Sequence, residues 1–169
     1  KVNFRQIDQE VYLDRDMWEK IVLNLVSNAF KFTLEGSIEV SVTANETHAE
    51  LAVRDSGEGI PNDELPRLFE RFHRIESSRG RTQEGTGIGL ALVQELARLH
   101  GGQVSVESRL GAGSTFRVTI PLGTEHLPSD RICEGEAASR TAIGATPYVE
   151  EALRWLPSGS PSTRDEPDA

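Results

Sequence analysis

The chain has 169 residues, a length that supports one well-buried domain rather than two. Its 37% hydrophobic and 27% charged residues are ordinary for a soluble globular protein, and a formal net charge of -9 argues against a general affinity for nucleic acid or an anionic membrane. Cys133 is the only cysteine, which excludes an internal disulfide and fits a reducing, cytoplasmic compartment. The charge is uneven: residues 123–169 hold nine acidic and four basic side chains, so the remainder is only mildly acidic and has room for a local basic site. No stretch approaches a membrane span, and no signal-peptide pattern opens the chain. An opening at Lys1 without Met reads as an excised fragment.

In chain order, Val11-Tyr12-Leu13 predicts a short strand, and residues 1–10 a remnant or edge strand. Asp16 as N-cap, with Glu19 three residues on as in a capping box, opens a helix to about Phe32. Its Trp18, Ile21, Val22, Leu25 and Ala29 have core-facing spacing, while Asn24, Asn28 and Lys31 stack on neighbouring turns of another face. Two neutral amides and one cation projecting together suit a polyphosphate and its metal; a solvated face with chance amides is the bland alternative. Ile38, Val40, Val42 and Ala44 alternate as a half-buried strand, and Leu51 and Val53 continue in a second. The loop Asp55–Asn62 and a short helix about Glu64–Phe69 follow. Arg71, Arg74, Arg79 and Arg81 then sit among Ser77, Ser78 and Gly80, a long polar loop of the kind expected of a lid.

A second amphipathic helix is predicted from about Ile88 to Leu99, ended by His100 and the capping pair Gly101-Gly102. Val104 and Val106, then Phe116, Val118 and Ile120, give two closing strands joined through Gly111-Ala112-Gly113. These elements make an α/β fold: a two-layer sandwich, with a mixed sheet and helices packed on one face. Beyond Gly123 only Tyr148–Leu156 reads as a helix, and the last dozen residues, poor in apolar side chains, are expected to be disordered.

Two glycine motifs carry chemistry. In Asp55-Ser56-Gly57-Glu58-Gly59-Ile60 a carboxylate, which only accepts hydrogen bonds, suits the exocyclic amino group of adenine and would face the carbonyl of guanine. Gly57 and Gly59 would let backbone approach a flat base, and a tight Asp-Gly turn is the alternative. Gly85-Thr86-Gly87-Ile88-Gly89-Leu90 opens the second helix, where backbone N–H groups and the helix dipole attract phosphate. It follows an Arg-rich loop and not a strand, so the dinucleotide fingerprint fails, and no Gly-Lys-Ser/Thr of a Walker loop is present.

The Asn helix, the Asp-x-Gly-x-Gly loop, Phe69-Glu70-Arg71-Phe72 and Gly85–Gly89 occur in the order of the N, G1, F and G2 boxes. Over residues 11–122 the chain thereby resembles the catalytic ATP-binding domain of sensor histidine kinases, in the superfamily of gyrase, heat-shock chaperone and mismatch-repair ATPases. Gly111-Ala112-Gly113-Ser114-Thr115-Phe116 resembles the family's closing motif. The resemblance implies ATP and Mg²⁺ as ligands. Asp55 would take the adenine amino group, with Thr115 and Gly59 nearby through water. Asn28 would supply the one protein oxygen on Mg²⁺, and Asn24 would support it. Lys31 would contact phosphate, Gly87 and Gly89 would cradle the phosphates, and Arg74 would reach the terminal one. Ile60, Phe72, Gly85, Thr86, Ile88 and Leu90 would line the nucleotide, His73 would pack over it, and His100 would be a helix-end residue.

The resemblance also separates a kinase from its alternatives. Hydrolytic relatives carry a glutamate four residues before the metal-binding Asn; here that position is Asn24, which cannot act as a general base. A hydrolytic ATPase and a non-catalytic ATP-dependent interaction module remain the competing readings. None of His48, His73, His100 and His126 sits in a phosphoacceptor motif, so the expected partners are a phosphoacceptor helical hairpin N-terminal to Lys1 and a downstream response regulator or receiver domain. The segment after Gly123 resembles a hybrid-kinase linker; a helix docked on its own domain is the alternative. The fragment by itself is expected to be monomeric, with a lid that moves until phosphate orders it.

Overall fold

Ile38, Val40 and Val42 alternate with Glu39, Ser41 and Thr43, and in the computed structural model this period of two becomes a strand with one face inward. The structure describes residues 1–4, 10–75 and 86–127. Strands β1 (Val2–Phe4), β2 (Ile38–Ala44), β3 (His48–Asp55), β4 (Gln103–Arg109) and β5 (Gly113–Pro121) form one sheet in the order β1-β2-β3-β5-β4. β1 pairs parallel with β2 and every other pairing is antiparallel, so the sheet is mixed. Helices α1 (Arg15–Phe32) and α2 (Gly89–Leu99) cover one face.

The register explains the burial. Val53 pairs with Phe116 and Phe116 with Val106; Leu51 pairs with Val118 and Val118 with Val104. These rows meet Ile21, Leu25 and Ala29 of α1 and Val93, Leu96 and Ala97 of α2 in a single core. The opposite face carries Glu50, Arg54, Arg117 and Glu107, with Arg117 3.1 Å from Glu107 and 3.9 Å from Glu50. Among the described residues that face is polar or charged apart from Ala52 and Pro121, too little apolar surface to ask for a third layer, and the expected two-layer sandwich is what forms.

Three expectations are corrected at element ends. Val11-Tyr12-Leu13 is unpaired chain and not a strand; the N-terminal strand is β1. The α1 N-cap is Asp14 and not Asp16: its Oδ1 accepts from the Met17 N–H at 2.9 Å, so Asp16 lies in the first turn beside the positive end of the helix. The helix expected at Glu64–Phe69 is a single 3₁₀ turn, Leu65–Arg67, with Pro66 inside it. Its proline has no N–H to extend the ladder. Cys133, the helix expected at Tyr148–Leu156 and the end expected to be disordered lie outside the described residues.

His100 and the glycine pair end α2 as expected. The Gly102 N–H bonds the Ala97 carbonyl at 2.9 Å and the Gly101 N–H bonds the Arg98 carbonyl at 2.9 Å, a Schellman closure. The His100 ring is buried and reaches across the fold: Nδ1 donates to the Leu96 carbonyl at 2.7 Å and Nε2 accepts the Asp14 N–H at 3.0 Å. That pair of bonds requires the neutral ring with its proton on Nδ1. Asp14→Ala is expected to lower stability by about 1 kcal/mol through the lost cap alone, read as a urea midpoint shift with unchanged slope.

Candidate functional site

The two helices run antiparallel, because the start of α1 meets the end of α2 at Asp14 and His100, while Asn24 meets the start of α2. The Asn24 side chain donates from Nδ2 to the Lys20 carbonyl at 2.8 Å, which aims its oxygen outward toward α2. A Cβ on Gly89 would sit 2.6 Å from that oxygen, so any larger residue there would push the Asn24 amide from its place. Among the described residues no side chain caps α2; its first intrahelical acceptor, the Ile88 carbonyl, takes the Leu92 N–H, leaving the N–H groups of Gly89, Leu90 and Ala91 without helical partners. An amide oxygen beside an uncapped positive helix end is a cradle suited to an anion and its counterion. Asn28, one turn after Asn24, is half-buried, and Lys31 lies with Nζ 5.2 Å from the centre of the Phe32 ring.

About 12 Å further along α1, at its last turn, is the second half of the site. Asp55 ends β3 on the helix-covered face and is only 7% exposed. Burial pushes its carboxyl above the ordinary 3.8; the Gly57 and Ser114 N–H groups, which donate to it, pull the other way and win back only part. The Gly57 N–H reaches Oδ1 at 2.9 Å. An anion held by two backbone donors in a partly dry site is an acceptor waiting for a donor.

The glycines of this loop prove to serve the protein's own backbone. A Cβ on Gly57 would strike the Phe32 carbonyl, and one on Gly59 the Arg109 carbonyl. The Glu58 carbonyl accepts the Gly111 N–H at 2.6 Å, and the Ile60 N–H donates to Ser108 Oγ at 2.8 Å. Thus the loop is strapped to the β4–β5 turn, and the close approach expected of a base is made first by chain on chain.

The base of the Arg-rich loop is closed by the Phe72 N–H, which bonds the Gly87 carbonyl at 2.8 Å. Phe72 is the one non-glycine residue of positive φ among the described residues (66°), and its ring is 72% exposed. Gly87 has φ 68°, and a Cβ there would lie 2.8 Å from Phe72 backbone. His73, expected over a nucleotide, instead puts Nε2 2.7 Å from Glu64 Oε2 with a mostly buried side chain. Arg74 is exposed. Gly85, Arg79 and Arg81 lie outside the described residues.

Among the predicted residues, Asn24 and Gly89 form one cluster, and Asp55, Gly57, Gly59 and Ile60 another; Phe72 and Gly87 meet at the loop base, with exposed Thr86 and Ile88 beside it and Leu90 against the core. Thr115 is the exception. It registers with Arg54 and Glu107 on the open face of the sheet, whereas the residue opposite Asp55 is Ser114. A strand reverses direction at each residue, so a one-place shift moved the expected side chain through the sheet. Ser108, Ser114, Glu64 and Asp14 were not anticipated. For the two serines a signal existed: each continues the core register of its strand, after Val104 and Val106 or before Phe116, and a polar residue in an apolar register wants a purpose.

Comparison with known proteins places these features in a family. The model described as histidine kinase-, DNA gyrase B-, and HSP90-like ATPase matches residues 13–124. The sensor histidine kinase TmoS of Ectopseudomonas mendocina is 37% identical over 148 residues, covering 86% of this chain and 15% of that protein. The circadian input-output histidine kinase CikA of Synechococcus elongatus is 45% identical over 157 residues, covering 83% of this chain and 21% of that protein. The chain thus spans a minor part of either relative. Among solved structures, the mycobacterial sensor histidine kinase MprB superposes with a TM-score of 0.61 at 31% identity, covering 72% of this chain and 82% of that one.

Proposed function

Because the chain belongs to the histidine kinase-, DNA gyrase B- and HSP90-like ATPase family, as a catalytic ATP-binding domain of a two-component sensor histidine kinase, we propose that it holds Mg-ATP along α1. The adenine lies at Asp55, which accepts its amino group, and the phosphates lie at the uncapped start of α2. Asn28 gives a side-chain oxygen to Mg²⁺, Asn24 supports it, and Lys31 and Arg74 stand toward phosphate. Bound there, Mg²⁺ neutralises phosphate charge; the chain's own residues position the ligand and exclude water. The observation that carries this reading is the pairing of the Asn24 oxygen and Gly89 with buried Asp55 at the far end of the same helix.

Asn24 also supports transfer over hydrolysis. An amide whose N–H₂ is committed to the Lys20 carbonyl has no basic group to activate water. The γ-phosphate therefore awaits an acceptor, a histidine on a helical hairpin of the same kinase, with a response regulator or receiver domain downstream. Among the described residues no helix is long and apolar enough to cross a membrane.

Calorimetric titration of the 169-residue chain with a non-hydrolysable ATP analogue tests the reading. Binding is expected to be adenine-selective over GTP and strengthened by Mg²⁺, and ATP with an added phosphoacceptor hairpin is expected to leave acid-labile phosphate on its histidine. A folded chain that ignores the analogue would overturn the assignment. Binding with phosphate release that depends on Asn28 would move it to the hydrolases.

A further inference from the structure

Ser108 gives a side-chain strap that holds the Asp55 loop to the β4–β5 turn, beside the Gly111 N–H on the Glu58 carbonyl and the packing of Gly59 on the Arg109 carbonyl. Its hydroxyl oxygen has three neighbours: the Ile60 N–H at 2.8 Å, the Gly113 carbonyl at 3.0 Å and Ser114 Oγ at 2.9 Å. A serine hydroxyl has one proton and two lone pairs, which allows one complete assignment. The Ser108 proton goes to the Gly113 carbonyl, because a carbonyl can only accept. One lone pair takes the Ile60 N–H. The other therefore faces Ser114, and the Ser114 proton must point at Ser108.

Ser114 is buried, sits directly opposite Asp55 in the sheet and shares its face. With its proton spent on Ser108, Ser114 Oγ has only lone pairs left to present. Beside the Asp55 carboxylate it makes a second acceptor, and two adjacent acceptors favour an edge that brings N–H groups over one that brings a carbonyl oxygen.

We propose, resting on the nucleotide reading above, that Ser108 is a positioning residue for nucleobase selection: it fixes Ile60 in the loop and turns the Ser114 hydroxyl into an acceptor beside Asp55. The 6-position of the purine is what it selects. A 6-amino group is accepted, and a 6-oxo group meets lone pairs.

The test compares ATP with inosine triphosphate, which carries a carbonyl at that position, by calorimetry on the 169-residue chain. In Ser108→Ala the Ser114 proton is released to donate outward, and the ATP-to-inosine preference is expected to shrink about tenfold. Ser108→Thr, which keeps the hydroxyl, restores it. In a Ser114→Ala background, adding Ser108→Ala is expected to change the preference no further, since the one acts through the other. Should Ser108→Ala fail to fold, Ser108→Cys, a weaker hydrogen-bonding group of similar shape, gives an intermediate preference. A purely structural Ser108 would lower the unfolding midpoint and leave the preference intact; that result overturns the proposal, as would additive effects of the two serines. A wild-type chain that binds neither nucleotide overturns the nucleotide reading itself, and a wild type that prefers ATP while Ser108→Ala keeps the same preference overturns the Ser108 proposal alone.

Discussion

Asp55→Asn is expected to weaken ATP binding about a hundredfold while moving the unfolding midpoint by no more than a couple of degrees. The carboxylate offers two oxygens, and the Gly57 and Ser114 N–H groups already donate to it. An amide has one acceptor oxygen. Serving the backbone with it turns N–H₂ toward the ligand, and serving the ligand sets N–H₂ against a backbone donor. Stability follows a different account. Because burial raises the Asp55 pKa, its contribution to folding is fully present below the ordinary 3.8 and fades as pH rises through the raised value. At neutral pH the ionised group works against the empty fold, and removing its charge offsets part of the cost of the lost hydrogen bonds. The same direction sets the pH profile of binding: affinity should begin to fall, on acidification, at a higher pH than an ordinary aspartate would give. Calorimetry across pH and thermal melts of both proteins check this, and a variant that loses stability in proportion to affinity would make Asp55 a structural residue.

Gly113→Ala should do the reverse and damage the fold first, by about 3 kcal/mol or more. Gly113 has φ 92°, a conformation that side chains rarely adopt, and its Cβ would collide with the Asp55 carbonyl. The backbone conformation alone costs about 1–3 kcal/mol and the overpacking a similar amount. Against a total stability of about 5–15 kcal/mol that is a large fraction. β5 and β3 would have to part where Ser114 faces Asp55, so nucleotide affinity falls along with the denaturation midpoint. Urea unfolding with and without nucleotide separates the two, and a stable Gly113→Ala protein would mean that the turn can shift without harm.

The sheet and both helices were legible because their apolar residues follow periods of two and of three to four, and burial on one face enforces those periods. Element ends were less legible. Asp14 and Asp16 are both plausible caps, and the choice rests on which one the chain geometry leaves extended. At the site, Asn24, Asp55 and the glycines stood out as residue types in an ordered pattern. The Thr115 assignment failed because spacing along one strand does not state which face a residue takes; pairing with Asp55 does, and pairing is a property of the folded sheet. Ser108 was hidden for the same reason, since its partners at Ile60 and Gly113 come together only once β4 and β5 are joined.

The buried imidazole at the end of α2 gives the helix pair the mechanics of tongs. His100 pins the start of one arm to the end of the other, and the jaws are Asn24 and Gly89, roughly three turns of helix away. With the pivot fixed, a small change in the angle between the arms is spent almost wholly at the jaws, where an ångström decides whether an amide oxygen and a helix end grip the same ligand. The chain enters this pair of helices at the pivot, where the Asp14 N–H meets His100, so the same residue that starts the first helix also fixes where the second one ends.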